Sequence, residues 1–163
     1  MGSRMDPLAE PAPLIRSVYA YVVYRVGDQV AADDLTGEVF ERAVRYRKSF
    51  DPARGTPTAW LIGIARRVIA ERLGQPPIVL GAERDDAPDS VDVESTAIAR
   101  LDLQASISRL SERDRELIAL RYGSDLTASQ IAGVIDSDTH TVEVALSRAL
   151  SRLRSMTETM QRM

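Results

Sequence analysis

Apolar residues recur at spacings of three and four along most of the chain, and no stretch alternates apolar and polar positions as a half-buried strand would. Leu14, Val18, Tyr21, Val22 and Val26 mark a first amphipathic helix running to about Gly27. A second is predicted from near Ala31, with Leu35, Val39, Ala43 and Tyr46 on one face. Asp33 and Asp34 are expected in its first turn, where the helix dipole favours carboxylates. The segment Phe50-Asp51-Pro52-Ala53-Arg54-Gly55 breaks the period. Thr56 then reads as an N-cap with Pro57 at the first helical position, and Trp60, Leu61, Ile64, Val68 and Leu73 carry a third helix toward Gly74.

The pattern stops at Gln75-Pro76-Pro77 and resumes near Ile98. Between them lie Gly81, Pro88 and a run rich in carboxylates, with Glu83, Asp85, Asp86, Asp89, Asp92 and Glu94 against Arg84. Such a segment cannot bury enough apolar surface to offset the entropy of ordering it. Beyond it, Ile98, Leu101, Ala105 and Ile107 predict a helix ending near Leu110. Ser111 caps the next, which carries Leu117, Ile118 and Leu120 and closes at Tyr122-Gly123. Thr127 and Gln130 form a capping-box pattern ahead of Ile131, Val134 and Ile135. After the break Asp136-Ser137-Asp138, a longer last helix carries Val142, Leu146, Ala149, Leu150 and Leu153.

These elements predict an all-α fold of two small helical domains, at 10–74 and 96–158, joined by a flexible acidic linker at 75–95. The short helix from 127 to 135, the tight turn and the long helix after it read as a helix-turn-helix, a unit whose second helix can enter a DNA major groove. Any αα-hairpin of a small bundle gives a similar spacing, with Ala132 at the close approach of the two helices.

Composition narrows the classes. The chain has 163 residues and a mass of 18.0 kDa, room for one ordinary domain or two small ones. It is 44% hydrophobic and 28% charged, as expected of a globular protein. There is no cysteine, which removes disulfides, thiolate catalysis and Cys-ligated metal sites. No apolar run is long enough to span a bilayer and none resembles a signal-peptide core, so a cytoplasmic location is expected. Gly2-Ser3-Arg4 ahead of Met5 reads as an expression scar with no expected part in the fold. A lone histidine, His140, has no partner for a triad or a metal site, and the single lysine, Lys48, lies in no glycine-rich phosphate loop. No enzymatic activity, metal or cofactor is expected.

Two blocks of sequence carry more than periodicity. The first comprises Ala32-Asp33-Asp34-Leu35-Thr36-Gly37-Glu38-Val39-Phe40, then Phe50-Asp51-Pro52-Ala53-Arg54-Gly55 and Trp60-Leu61 with Ile64-Ala65-Arg66. The second comprises Leu110-Ser111-Glu112-Arg113-Asp114-Arg115-Glu116, Leu120-Arg121-Tyr122-Gly123 and Leu126-Thr127 with Gln130-Ile131-Ala132, followed by Val142, Leu146, Arg148-Ala149 and Leu153-Arg154. With both blocks in this order, the chain resembles an extracytoplasmic-function sigma factor of bacterial RNA polymerase, over about 14–73 and 97–155.

The resemblance implies that the first domain docks on core RNA polymerase and opens the minus-10 promoter element, and that the second reads the minus-35 element. Asp34, Leu35, Glu38, Val39, Phe40 and Arg42 would then meet polymerase. Leu35, Val39 and Phe40 also suit a core, and Glu38 with Arg42 suits an exposed pair worth about 0.2–0.5 kcal/mol. Arg54, Thr56, Thr58, Trp60, Arg66 and Arg67 would contact minus-10 DNA; strand separation needs an aromatic neighbour for an unstacked base and guanidinium groups for phosphates. Trp60 equally suits a core anchor. In the second domain the DNA contacts would be Arg121, Thr127, Thr139, His140, Glu143, Val144, Ser147, Arg148 and Arg152, with the arginines on phosphates and the first turns of the last helix on bases.

The chain departs from the family pattern where the last helix begins: Glu143 and Ala145 stand where basic residues are usual. That lowers the affinity expected of this helix, although a carboxylate can still accept from a cytosine amino group. Gly37 replaces the usual Gln, and Arg67 the usual Asn. The resemblance also implies an anti-sigma factor as a partner, with apolar residues at 35–40 and 60–64 as its expected exposed targets. Two other readings compete with promoter-specific initiation. One is a sigma-like protein-binding module with weakened DNA recognition, and the other is a repressor that uses the helix-turn-helix without polymerase.

Overall fold

The computed structural model describes residues 5–80 and 100–162, and among them there are helices and turns but no strand. Helix α1 spans Pro11–Val26, α2 Gln29–Tyr46 and α3 Pro57–Leu73. After the segment at 81–99, which lies outside the described residues together with most of the expected linker and Ile98, come α4 at Arg100–Arg109 and α5 at Glu112–Ile118. Helix α6 follows at Ala128–Ile135 and α7 at Thr139–Gln161.

The predicted punctuation is where the chain turns. The Thr56 side chain accepts from the Ala59 amide with Pro57 in the first turn, and α3 ends on Gly74 in the left-handed conformation at φ 65°. Ser111 caps α5 by accepting from the Asp114 amide. Thr127 and Gln130 form the reciprocal capping box of α6. The start of α2 is a correction. Its cap is Asp28, which accepts from the Val30 amide, so the helix begins at Gln29 and Asp33 and Asp34 sit beyond the first turn. Asp28 is a better stop than Ala31 because its carboxylate satisfies an amide that the helix leaves free. Helix α7 also runs farther than the apolar pattern suggested, to Gln161.

Helices α1, α2 and α3 pack together through Leu14, Val18, Val22, Leu35, Val39, Leu61, Ala65 and Val68. In the second half, a five-residue π turn at Ala119–Gly123 continues α5, and α6 and α7 cross with Ile131, Ile135, Val142 and Leu146 between them. A smaller cluster of Ile107, Leu110, Ile118, Ala149 and Leu153 ties α4 to α5 and α7.

The two halves of the chain meet on one apolar core. Leu117, Ala119, Leu120, Leu126 and Ile131 join the same buried cluster as Tyr21, Val22 and Ile69. The π turn packs on α1 and α6 packs on α3. The two backbones come close at Gly123: a Cβ there would lie 3.0 Å from the Cα of Tyr21 and 3.2 Å from the carbonyl carbon of Ala20. Only a hydrogen fits between these two backbones.

Candidate functional site

The exposed side of α2 carries a strip of charge. Asp33, Asp34, Gly37, Glu38, Glu41, Arg42 and Arg45 line a shallow open groove on it. Arg42 anchors the strip, donating to Glu38 Oε1 at 2.9 Å and to Glu71 Oε1 of α3 at 3.2 Å. The pairing holds the Glu71 carboxyl below the usual carboxylate range, chiefly through the hydrogen bond from Arg42. Asp34 pairs with Arg72 at 2.7 Å.

The apolar members of the expected polymerase set behave differently. Leu35 and Val39 are buried against α1 and α3, and Phe40 is half-buried. Spacing of four on a helix whose other face is charged puts them inside, so the surface offered at 35–40 is polar. The expectation of exposed apolar targets there is corrected. At 60–64 Leu61 and Ile62 are buried, while Trp60 and Ile64 are half-buried.

Around α3, Arg54 is exposed on the loop before the helix, Thr56 is spent on its cap, and Thr58 is half-buried. The Trp60 ring meets Phe50 edge-on, with centroids 5.5 Å apart and an interplanar angle of 65°; it packs on the core while remaining part-exposed. Adjacent arginines on α3 take opposite roles. Arg67 is exposed, whereas the Arg66 side chain is 11% exposed and turned toward the second half.

In the second half, Thr139, His140 and Glu143 are exposed at the start of α7, and Val144, Ser147 and Arg148 are half-buried farther along. Asp138 caps α7, its carboxylate accepting from the Thr141 amide at 2.8 Å and the Thr141 hydroxyl at 2.8 Å. Those two bonds lower its pKa below the ordinary aspartate value. Between α6 and α7 the chain turns at Asp136 in the left-handed region, φ 57°. The free amides at Thr127 are partly used by the Gln130 side chain. Arg121 donates to the Leu126 carbonyl at 3.2 Å and lies 5.8 Å from the Tyr122 ring centroid. Arg152 donates to both oxygens of buried Asp114, at 3.0 and 2.9 Å, so it ties α7 to α5 in addition to its expected role on phosphate.

A cluster that the sequence reading missed joins the two halves. Glu116 of α5 is buried and accepts from the Tyr21 hydroxyl at 2.8 Å and from Arg66 Nε at 2.9 Å, and its Oε2 lies 2.6 Å from Arg25 Nε. Arg66 also donates to the Val134 carbonyl at 3.1 Å and to the Ile78 carbonyl. Burial, and then the neighbouring Glu116 charge, push the Tyr21 phenol well above its ordinary pKa, so it stays protonated and donates. Burial and the nearby Arg25 lower the Arg115 pKa. A signal was present. Arg25 follows Tyr21 by four and Val22 by three, a charge on the apolar stripe of α1, and such a charge needs a buried partner.

Among the described residues no group of three or more His, Asp or Glu side chains is arranged to hold a metal ion, and no helix is long and apolar enough to cross a membrane.

Two family models match the chain. A family model described as Sigma-70 region 2 matches residues 13–75, and one described as Sigma-70, region 4 matches residues 100–153. The chain is similar to the ECF RNA polymerase sigma factor BldN of Streptomyces coelicolor, 28% identical over 144 residues, which cover 84% of this chain and 54% of that protein. It is also similar to the ECF RNA polymerase sigma factor SigK of Mycobacterium tuberculosis, 27% identical over 147 residues covering 85% of this chain and 78% of that protein. The chain thus spans about half the length of the first relative and most of the second. The sigma factor RpoE, solved in complex with the anti-sigma factor NepR from Bartonella quintana, shares the fold, with a TM-score of 0.69 at 19% identity over 89% of this chain and 92% of that chain.

Proposed function

Because the chain belongs to the extracytoplasmic-function group of the sigma-70 family, we propose that it binds core RNA polymerase and directs promoter-specific initiation of transcription in the cytoplasm. The observation that carries this reading is the presence of both regions on one chain, with a charged α2 strip in the first and an exposed helix-turn-helix in the second.

The roles follow from the chemistry of each surface. The α2 strip, with Asp34, Glu38 and Arg42, is a polar docking face for polymerase. Arg54, Arg67 and the part-exposed Trp60 supply cations and an aromatic edge for minus-10 DNA. Thr139, His140, Glu143 and Val144 present to minus-35 bases, with Arg121 and Arg148 toward phosphates. An anti-sigma factor is the regulatory partner, and it takes the polar α2 strip and the half-open Trp60 edge in place of polymerase. We read the protein as a regulator without enzymatic chemistry of its own.

A pull-down with core polymerase followed by run-off transcription tests the reading. Binding with promoter-specific transcripts is expected. Binding without transcripts favours the protein-binding module, which the loss of positive charge at Glu143 and Ala145 supports, and no binding returns the chain to the repressor class.

A further inference from the structure

We infer that the end of α7 is an oxidation-sensitive clamp on α4, with the thioethers of Met156 and Met160 as its modification sites and hydrogen peroxide as the oxidant. The region 4 match ends at residue 153, whereas α7 continues to Gln161, so its last turns lie outside that match. Leu153, Met156, Thr157 and Met160 follow one another there at spacings of three and four, on the side of α7 against which α4 packs.

The contact has an apolar and a polar part. Met156 packs on the cluster that Ile107 and Leu110 of α4 form with Ala149 and Leu153 of α7. One turn on, Ser106 of α4 is wholly buried, and its hydroxyl donates to Met160 Sδ at 3.4 Å. The Thr157 hydroxyl lies 3.3 Å from the same Ser106 oxygen and 2.9 Å from the Leu153 carbonyl. Sulfur here is soft enough to pack and polar enough to receive a hydroxyl.

Both methionines are half-buried, so a small oxidant reaches them without unfolding the chain. With no cysteine in the sequence, five methionines hold all of its sulfur. A sulfur lone pair attacks one peroxide oxygen, the O–O bond breaks as the S–O bond forms, and the other oxygen leaves with both protons as water. Sulfur gives up two electrons and peroxide takes them. The sulfoxide is larger and far more polar than the thioether. At Met156 it sets a strong acceptor against aliphatic side chains, and at Met160 the new oxygen needs room where Ser106 already touches sulfur. Helix α4 leans on α7 through this face, so oxidation frees it. The clamp does not depend on the function proposed above.

The test treats the full chain with hydrogen peroxide and reads the mass of each methionine peptide and the hydrogen exchange of the peptide covering α4. Met156 and Met160 are each expected to gain one oxygen. The α4 amides are then expected to exchange about tenfold faster while those of α1 to α3 stay protected. Methionine sulfoxide reductases with dithiothreitol, whose thiols supply two electrons as the oxygen leaves in water, are expected to restore protection. The double variant Met156→Leu, Met160→Leu keeps the packed volume close to the parent's, and with its other methionines oxidised it is expected to hold α4 as the untreated parent does.

Met156 and Met160 left unmodified at a dose that converts Met5, which is 55% exposed, overturn the modification sites. Both oxidised with α4 exchange unchanged overturns the clamp. An equal rise in the leucine variant puts the cause at another methionine and overturns the assignment. Should that variant fail to fold, the reductase decides: protection that returns as the two oxygens are removed upholds the clamp, and protection that stays lost overturns it.

Discussion

At the residue scale, position on the helix decides what each predicted side chain does. Leu35 is 1% exposed, and truncating it removes buried methyl groups that the packed neighbours only partly replace. Leu35→Ala is expected to cost about 2–5 kcal/mol by urea denaturation. Two residues on, Gly37 lies on the exposed side of α2 with open space around its Cβ. Gly37→Ala is expected to raise stability by about 0.5–1 kcal/mol, since a mid-helix glycine loses more backbone freedom on folding. The opposite signs separate the buried and exposed faces of the same helix. On α7, Glu143 is exposed at the start of the helix. Glu143→Lys is expected to tighten nonspecific duplex binding and steepen its salt dependence, measured by anisotropy across a salt series, because a repelling charge becomes an attracting one. The i, i+4 spacing that made Leu35 and Val39 legible as core was in the sequence from the start. Arg66 was not legible, because its partner Glu116 lies 50 residues away and adjacency to Arg67 argued for solvent.

At the scale of elements, caps and turns were the most readable features because each is local. Ser111, Thr127, Thr56 and Gly74 do what their residue types dictate. The exception, Asp28 at the head of α2, was hidden behind two more conspicuous aspartates. Asp138 makes a pH-dependent prediction. Its folded pKa lies below the ordinary value, so the ionised cap stabilises α7 above the usual aspartate range of about pH 4 and loses that contribution as pH falls through the lower folded value. Asp138→Asn can still accept from the Thr141 amide but does not titrate there. Its stability is expected to fall less steeply than the parent's between about pH 5 and pH 2, read as unfolding midpoint against pH. The π turn at Ala119–Gly123 had no such local signature, since its register comes from packing on α1.

At the scale of the molecule, long-range burial joins what sequence reading keeps apart. Glu116 sits at the junction, and removing its charge leaves two guanidinium groups beneath the surface, a loss of about 3–5 kcal/mol for a broken buried pair. The parent is therefore expected to unfold in one calorimetric transition and Glu116→Gln in two, as the halves part and then melt separately. One transition in both proteins would show that the seam depends on apolar contact alone. The residues that bridge the seam include Tyr21, Leu120 and Leu126, and parting the halves would wet them. Wetting oily surface raises heat capacity, and the drive to keep such surface dry weakens in the cold. Chilling should thus loosen the join between the halves before it harms either one, a thermometer-like response written into the placement of a few greasy side chains.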